Sequence, residues 1–439
     1  LSRRQVLKAI ATGAGVAAVG PALGGVRSAA AAAEQASAGT RPFPRLPEGT
    51  DTLPRIEHIV VLMMENHSFD CYFGMLGRGD GYRLGRDGHP LNSCAGPDGK
   101  PVRAYHSPST CQAHYHVGQD WDASHRSWDH GRNDGFVKAT SGDAMAYWTG
   151  ADIPFYYSLA RVFPLCDRYF ASVMAQTYPN RRFLIAATAL GQVSDPLPGP
   201  TDPPPPNGTI FDRLNAHHIS WKNYFVDLPT TGLFPSVVED NPGKVVPVAD
   251  FFADAPAGTL PAFSLVDPEG WQGSEENPQD IRTGEYYASR VVNAVLSSPA
   301  WPRTVLVYTY DEHGGYYDHV PPPRAVRPDS IPPHVAPNDT YGDLYCYYGF
   351  RVPAVVVSPW ARRNYVSHLV HDHTSILRLV ETKWNLSALT HRDANATNLL
   401  DCLDLTAREP PFASPPSLAP ARAPTGGPGC YAKDPTSPV

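Results

Sequence analysis

Two apolar runs of this chain stop on the same chemistry. Ile56–Met64 (IEHIVVLMM) carries no polar residue after His58 and runs straight into Glu65-Asn66-His67-Ser68, while Thr304–Tyr310 (TVLVYTY) runs into Asp311-Glu312-His313. A strand with one wet face alternates polar and apolar residues; continuous runs of this kind need cover on both faces. Three more short β-rich runs, Ile219–Val226, Leu260–Val266 and Val352–Val357, share the chain with helical candidates at Tyr178–Leu190, Gly284–Ser297 and Thr374–Trp384. Strands alternating with helices predict an α/β fold, a central mostly parallel sheet with helices on both faces. The length of 439 residues suits one large core or two modest ones.

Composition matters at two points. The 47 prolines gather between the apolar runs, as in PLPGPTDPPPP and VPPPRAVRPDSIPP, and predict long ordered loops. The balance of 36 basic against 43 acidic residues argues against nonspecific nucleic-acid binding. No run beyond the N-terminal segment reaches the roughly 18 apolar residues of a membrane span. Of the seven cysteines, Cys94 with Cys111 and Cys402 with Cys430 are the local pairs, although spacing cannot fix connectivity.

The N-terminal stretch reads as an address. SRRQVLK (Ser2–Lys8) resembles the bacterial twin-arginine export signal, with Val6 where that pattern prefers Phe; a Gly/Ala-rich apolar segment and small-residue cleavage sites follow. Residues 1–38 are therefore expected to engage the twin-arginine export machinery and to send the chain to the periplasm or outside the cell. Residues 80–149 are loop-rich, aromatic and His-rich, as suits an insertion capping the sheet, and residues 407–439 form a Pro-rich tail.

Ligands of open α/β sheets bind beyond the carboxyl ends of the strands. The carboxylates of two such strand ends, Glu65 on one and Asp311 and Glu312 on the other, repel one another unless a positive charge lies between them. A divalent cation supplies it, and Glu65, Asn66, Asp311 and Glu312 offer it oxygen ligands. The plain alternative is a pair of exposed strand ends with ordinary capping acids. Thr177 stands before Tyr178-Pro179-Asn180, with Pro179 in the first turn of a predicted helix. It is a natural N-cap, or else a hydroxyl at an anion-binding helix end, acidified by a metal into a nucleophile. Arg181 or Arg182 would neutralise a phosphate oxygen. His371, Asp372 and His373 precede another helix; an imidazole there could bind metal or protonate a leaving alcohol, while Asp372 or Thr374 could simply cap. The aromatic stretch Tyr147–Ala160 could wall a choline-bearing substrate, or Phe155, Tyr156 and Tyr157 could be ordinary core.

These stretches together resemble the bacterial phospholipase C family, also called the phosphoesterase family, which includes nonspecific phospholipases C and a group of acid phosphatases. The likeness runs from about Ile56 to Leu389 and is anchored on IEHIVVLMMENHSFDCYFG, HRSWDHGRNDGFV, YYSLARVFPLCDRYFASVMAQTYPNRRFL, YTYDEHGGYYDHVPPP, GFRVPAVVVSPWARRNYVSH and HDHTSILRLVE. It implies an alkaline-phosphatase-like α/β/α sandwich with a loop-rich cap, a catalytic domain over residues 39–406, and a phosphoryl-enzyme mechanism. Carried over position by position, it implies a metal held by Glu65, Asn66, Thr177, Asp311 and Glu312. It also implies Thr177 as nucleophile, with His125, His313 and His373 as catalytic imidazoles, and Asn180, Arg181 and Trp128 toward the substrate phosphate. The ion would be calcium, magnesium, manganese or, if an imidazole joins, zinc.

The expected substrate is a phospholipid such as phosphatidylcholine, with peripheral contact to lipid surfaces; the alternatives are a broad phosphomonoesterase and a secreted binding protein without catalysis. One departure stands out. Many relatives read His-Ser-Trp or His-Asp-Trp where this chain has Gln119-Asp120-Trp121, so His114 or His116 substitutes, or the head-group preference differs. The long C-terminal extension of haemolytic members is not seen, which lowers the expectation of haemolysis.

Overall fold

A computed structural model describes residues 35–112, 117–199, 202–268, 274–277, 279–335, 341, 345–422 and 430. The export-signal reading at residues 1–34 and the substitute imidazoles His114 and His116 lie outside the described residues.

Eight strands form the central sheet. In chain order they are β1 (His58–Met64), β2 (Leu165–Cys166), β3 (Trp221–Phe225), β4 (Val245–Pro247), β5 (Phe263–Val266), β6 (Thr304–Tyr310), β7 (Ala354–Val357) and β8 (Val366–Ser367). Across the sheet the order is β8-β2-β7-β6-β1-β5-β3-β4. Among the described strands only β7 runs against the rest, pairing antiparallel with β6 and β2; the sheet is mostly parallel, as the sequence predicts. All five expected strands form, Thr304–Tyr310 with the expected bounds and the other four trimmed at one or both ends. Residues Ile59–Met64 of β1 and all of β6 are buried, which is the two-sided cover their unbroken apolar runs demand.

Helices surround the sheet in two sets. Ile281–Leu296 contacts β1 and β6 and packs on Pro154–Val162 and Val248–Ala257, whereas His373–Trp384 packs on Thr177–Ala186. Phe155, Tyr156 and Tyr157 belong to the core, each at most 3% exposed, so this aromatic stretch fills the interior. Residues 80–149 hold two small two-stranded sheets and the helix Trp121–Trp128.

The cysteines pair differently from the local reading. Cys111 is bonded to Cys430, 319 positions further along the chain, with a Cα separation of 5.5 Å. Cys94 is buried and unbridged, and Cys402 lies with its Sγ 3.7 Å from that of Cys166. Proximity along the chain misleads here because the C-terminal segment returns across the molecule: Phe412 accepts from Trp301, and Ala419 donates to Ser158.

Candidate active site

Parallel pairing of β1 with β6 is in register from His58 opposite Thr304 to Met64 opposite Tyr310, so the next residues, Glu65-Asn66 and Asp311-Glu312, leave the sheet side by side. The Asn66 amide donates to Asp311 Oδ1 at 3.2 Å and the Asp311 amide to the Met64 carbonyl at 3.3 Å. Asn66 makes the turn with a φ of 67°, a left-handed conformation that Asn tolerates better than most residues. Gly314, at φ +64°, closes the other side: a Cβ there would sit 2.0 Å from the Asn66 carbonyl oxygen. Only glycine lets the two strand-end loops touch backbone to backbone.

Thr177 comes from a third direction. The helix Thr177–Ala186 has Gln176 as its N-cap without a side-chain capping bond, so the Thr177 hydroxyl is not consumed as a cap; Oγ lies 3.4 Å from Asn66 Oδ1. Its position is set by Asn180, whose Oδ1 accepts from the Val173 amide and whose Nδ2 donates to the carbonyls of Val173, Ala175 and Gln176. Asn180 is thus spent on the loop that delivers Thr177.

A cavity of about 330 Å³ opens beside Thr177, lined among others by Glu65, Arg181, Asp195, Asp267 and Glu276. Arg181 is buried among the acids: Nε donates to Asp311 Oδ2 at 3.1 Å, and its two terminal nitrogens lie 3.5 Å from Glu65 Oε1 and 3.6 Å from Asp267 Oδ1. The positive charge between the strand ends is therefore supplied at least in part by the protein itself. It does not balance the cluster. Burial, reinforced by Asp311 and Glu276 and opposed by Arg181, pushes the Glu65 carboxyl up to about 8. Burial raises Asp195 to about 7 against the Tyr178 amide that holds it, and burial with Asp311 raises Glu312 well above its ordinary value.

The donor set fits a hard cation. In one orientation of the Asn66 amide, Oδ1 stands 3.1 Å from Asp311 Oδ1 and 2.9 Å from Glu312 Oε1, with Thr177 Oγ at 3.4 Å. Such close oxygens repel unless a cation lies among them; turned over, the amide donates to both carboxylates instead. The donors are all oxygen, the chemistry of magnesium, calcium or manganese rather than of a thiolate site.

The histidines are placed otherwise than at the Thr177 hydroxyl. His373 has its Nε2 2.7 Å from the Asp311 carbonyl and its Nδ1 3.4 Å from the Tyr169 hydroxyl, so it supports the strand end from behind. His313 sets Nδ1 3.0 Å from Glu312 Oε2, and its buried Nε2 has no partner. His125 binds the Trp121 carbonyl at 2.7 Å within its own helix. Trp128 packs on Tyr347 and does not line the cavity.

Three polar residues that the motifs did not single out, Asp267, Asp195 and Glu276, enter the site, together with Gln119 from the stretch that departs from the family pattern. Asp267 follows β5 as Glu65 follows β1, a third strand ending on an acid, and that repetition was visible in Leu260–Val266. Asp195 accepts from the Tyr178 amide at 2.7 Å. Gln119 donates to Glu276 at 3.2 Å beside Asn66. Asp195, Gln119 and Glu276 come from irregular loops, and of these only Gln119, as a departure from the family pattern, is marked in the sequence.

Behind β1 lies a second buried carboxyl. Glu275 accepts from the hydroxyls of Tyr72 (2.8 Å), Tyr156 (2.6 Å) and Tyr310 (2.5 Å), next to His67, which is stacked between Tyr72 and Tyr316. Burial outweighs these donors and raises the carboxyl from 4.5 to about 7. The folded protein then holds a proton that the unfolded chain has released, so this contribution to stability is full below about pH 4.5 and is lost toward pH 7. The Glu275→Gln variant is expected to lose less stability than the parent between pH 5 and pH 7.5, read by denaturant unfolding. Equal losses in the two proteins would mean that Glu275 is already ionised in the fold.

Comparison with known proteins adds the following. The profile of the Phosphoesterase family matches residues 56–387. Non-hemolytic phospholipase C of Pseudomonas aeruginosa is 31% identical over 377 residues, covering 76% of this chain and 54% of the relative. Phospholipase C A of Mycobacterium tuberculosis is 29% identical over 442 residues, covering 88% and 81%; Non-specific phospholipase C6 of Arabidopsis thaliana is 32% identical over 296 residues, covering 62% and 55%. The chain spans just over half the length of the Pseudomonas and Arabidopsis proteins. Among solved structures, a protein of the alkaline phosphatase superfamily from Vibrio parahaemolyticus matches at a TM-score of 0.41 and 10% identity, covering 84% of this chain and 73% of that one.

Proposed function

The chain belongs to the Phosphoesterase family, and from that premise we propose that it is an exported, metal-dependent phospholipase C working through a phosphothreonine. The observation that carries the reading is the Asn66 side-chain amide, one atom of which lies 3.4 Å from Thr177 Oγ and 3.1 and 2.9 Å from carboxylate oxygens of Asp311 and Glu312, beside an open cavity. Glu65, Asn66, Asp311 and Glu312, with Thr177, would hold a divalent cation. When bound, that ion supplies Lewis acidity to the phosphoryl oxygens and to the threonine hydroxyl.

The chain's own residues do the rest. Thr177 Oγ attacks phosphorus in line, the bond from phosphorus to the glycerol oxygen breaks, and diacylglycerol leaves with a proton. The resulting phosphothreonine still carries the head group until water cleaves it, releasing a phosphorylated head group and restoring the hydroxyl. Arg181 keeps Asp311 and Glu65 oriented and partly neutralised throughout. Asn180 fixes the loop from which the nucleophile points. Catalysis on this reading is chiefly placement and charge stabilisation. The twin-arginine-like residues Ser2–Lys8 and the Cys111–Cys430 bond support an oxidising destination. Among the described residues no helix is long and apolar enough to cross a membrane.

Chelator treatment followed by add-back of magnesium, calcium, manganese or zinc tests the reading. Phosphatidylcholine turnover is expected to vanish and return with a hard ion, and that ion is expected to raise the unfolding temperature of the metal-free protein. Turnover of an aryl phosphomonoester without phosphatidylcholine cleavage would replace the reading by a phosphatase. No turnover with any ion would leave a binding protein.

A further inference from the structure

The most exposed large apolar side chains of the described molecule stand at the mouth of the Thr177 cavity. Leu197 is 66% exposed and Leu228 63%, and both line that cavity. Leu228 belongs to the loop Val226-Asp227-Leu228-Pro229 that leaves the carboxyl end of β3, and Leu197 sits between Pro196 and Pro198. Proline fixes its own φ and restricts the residue before it, so both leucines are presented by stiffened loops that need little further ordering on contact. Single exposed leucines are normal on a protein surface; two from separate loops converging on one reaction cavity mark a contact surface.

The surrounding charge selects what that surface meets. The cavity and its rim carry Asp195, Asp227, Asp267, Glu65 and Glu276, and Arg181, the one lining cation among the described residues, is paired with acids there. A rim of this sign lacks the basic cluster that draws proteins to anionic lipid and is repelled by it, whereas a zwitterionic surface imposes no such penalty. We propose that Leu197 and Leu228 form an interfacial anchor that enters the acyl boundary of a zwitterionic lipid surface, so that a phosphodiester reaches Thr177 without leaving the bilayer. This rests on the phospholipase reading and names the face by which the protein meets its substrate.

The test is co-sedimentation of the full chain with phosphatidylcholine vesicles, in a Thr177→Ala background so that the lipid is not consumed. The Leu197→Ser, Leu228→Ser double variant is expected to lower the partition constant by at least about tenfold. Leu84→Ser, at a leucine 50% exposed that does not line the cavity, is expected to leave it unchanged. The indole fluorescence of Leu228→Trp is expected to shift to the blue on adding vesicles. Partitioning of the double variant equal to the parent, no blue shift, or tighter salt-sensitive binding to phosphatidylglycerol vesicles would overturn the anchor. Turnover of a monomeric short-chain phosphatidylcholine by the protein with Thr177 intact separates the two ideas. If that ester is untouched while vesicle binding still needs the leucines, the catalytic reading fails and the anchor stands.

Discussion

Replacing Thr177 by alanine is expected to lower turnover of phospholipid and of soluble aryl esters alike by at least about 10³-fold, because in the proposed mechanism the Thr177 hydroxyl is the group that accepts the phosphoryl. The loss is expected without unfolding. The Thr177 hydroxyl caps no helix, and Asn180 holds the preceding loop independently of it. Thermal unfolding of Thr177→Ala should therefore stay close to the parent, and Thr177→Ser should retain a measurable part of the activity. Acid quenching during turnover of a substrate with a labelled head-group phosphate should trap label on the peptide bearing Thr177, and none in the alanine variant. Near-normal turnover by Thr177→Ala would remove the nucleophile, and with it the covalent mechanism.

Arg181→Met carries the largest expected effect on stability. The side chain is 5% exposed, among Glu65, Asp267 and Asp311, and removing one partner of a buried ionic cluster costs about 3–5 kcal/mol. Denaturant unfolding of the metal-free protein measures it directly. Saturating magnesium or manganese should return part of the loss, since a cation bound among Asn66, Asp311 and Glu312 supplies charge where the guanidinium is missing. A variant as stable as the parent without metal would mean that the acids are held protonated and that Arg181 contributes little charge there. The distinction matters because the same carboxylates cannot be fully protonated and hold a divalent ion.

The sequence shows the sheet where a strand is long and buried on both faces. β1 and β6 are legible for that reason, and their acidic ends announce a site because two strands end alike. Strands β2 and β8 are two residues each, too short for any period to show. Arg181 and Asn180 were visible as residue types next to Thr177, but what they touch is a tertiary matter. One stands among the acids and the other is spent on three carbonyls, and neither arrangement leaves a trace in spacing. Asp195 and Glu276 reach the cavity, and Gln119 reaches Glu276, from loops of no regular pattern, so only the folded chain brings them together. The disulfide escapes the sequence for the opposite reason: its cysteines are 319 positions apart, so nearness along the chain points to the wrong partners.

That disulfide has a consequence for the life of the protein. The ring it closes runs from Cys111 to Cys430 and contains Thr177, Arg181, Asp311 and Glu312. During synthesis the thiol of Cys111 has no such partner until 319 further residues have been added. An oxidised Cys111 therefore reports a chain extended at least as far as Cys430, whereas a chain stalled before Cys430 leaves Cys111 without this partner and open to an alkylating label.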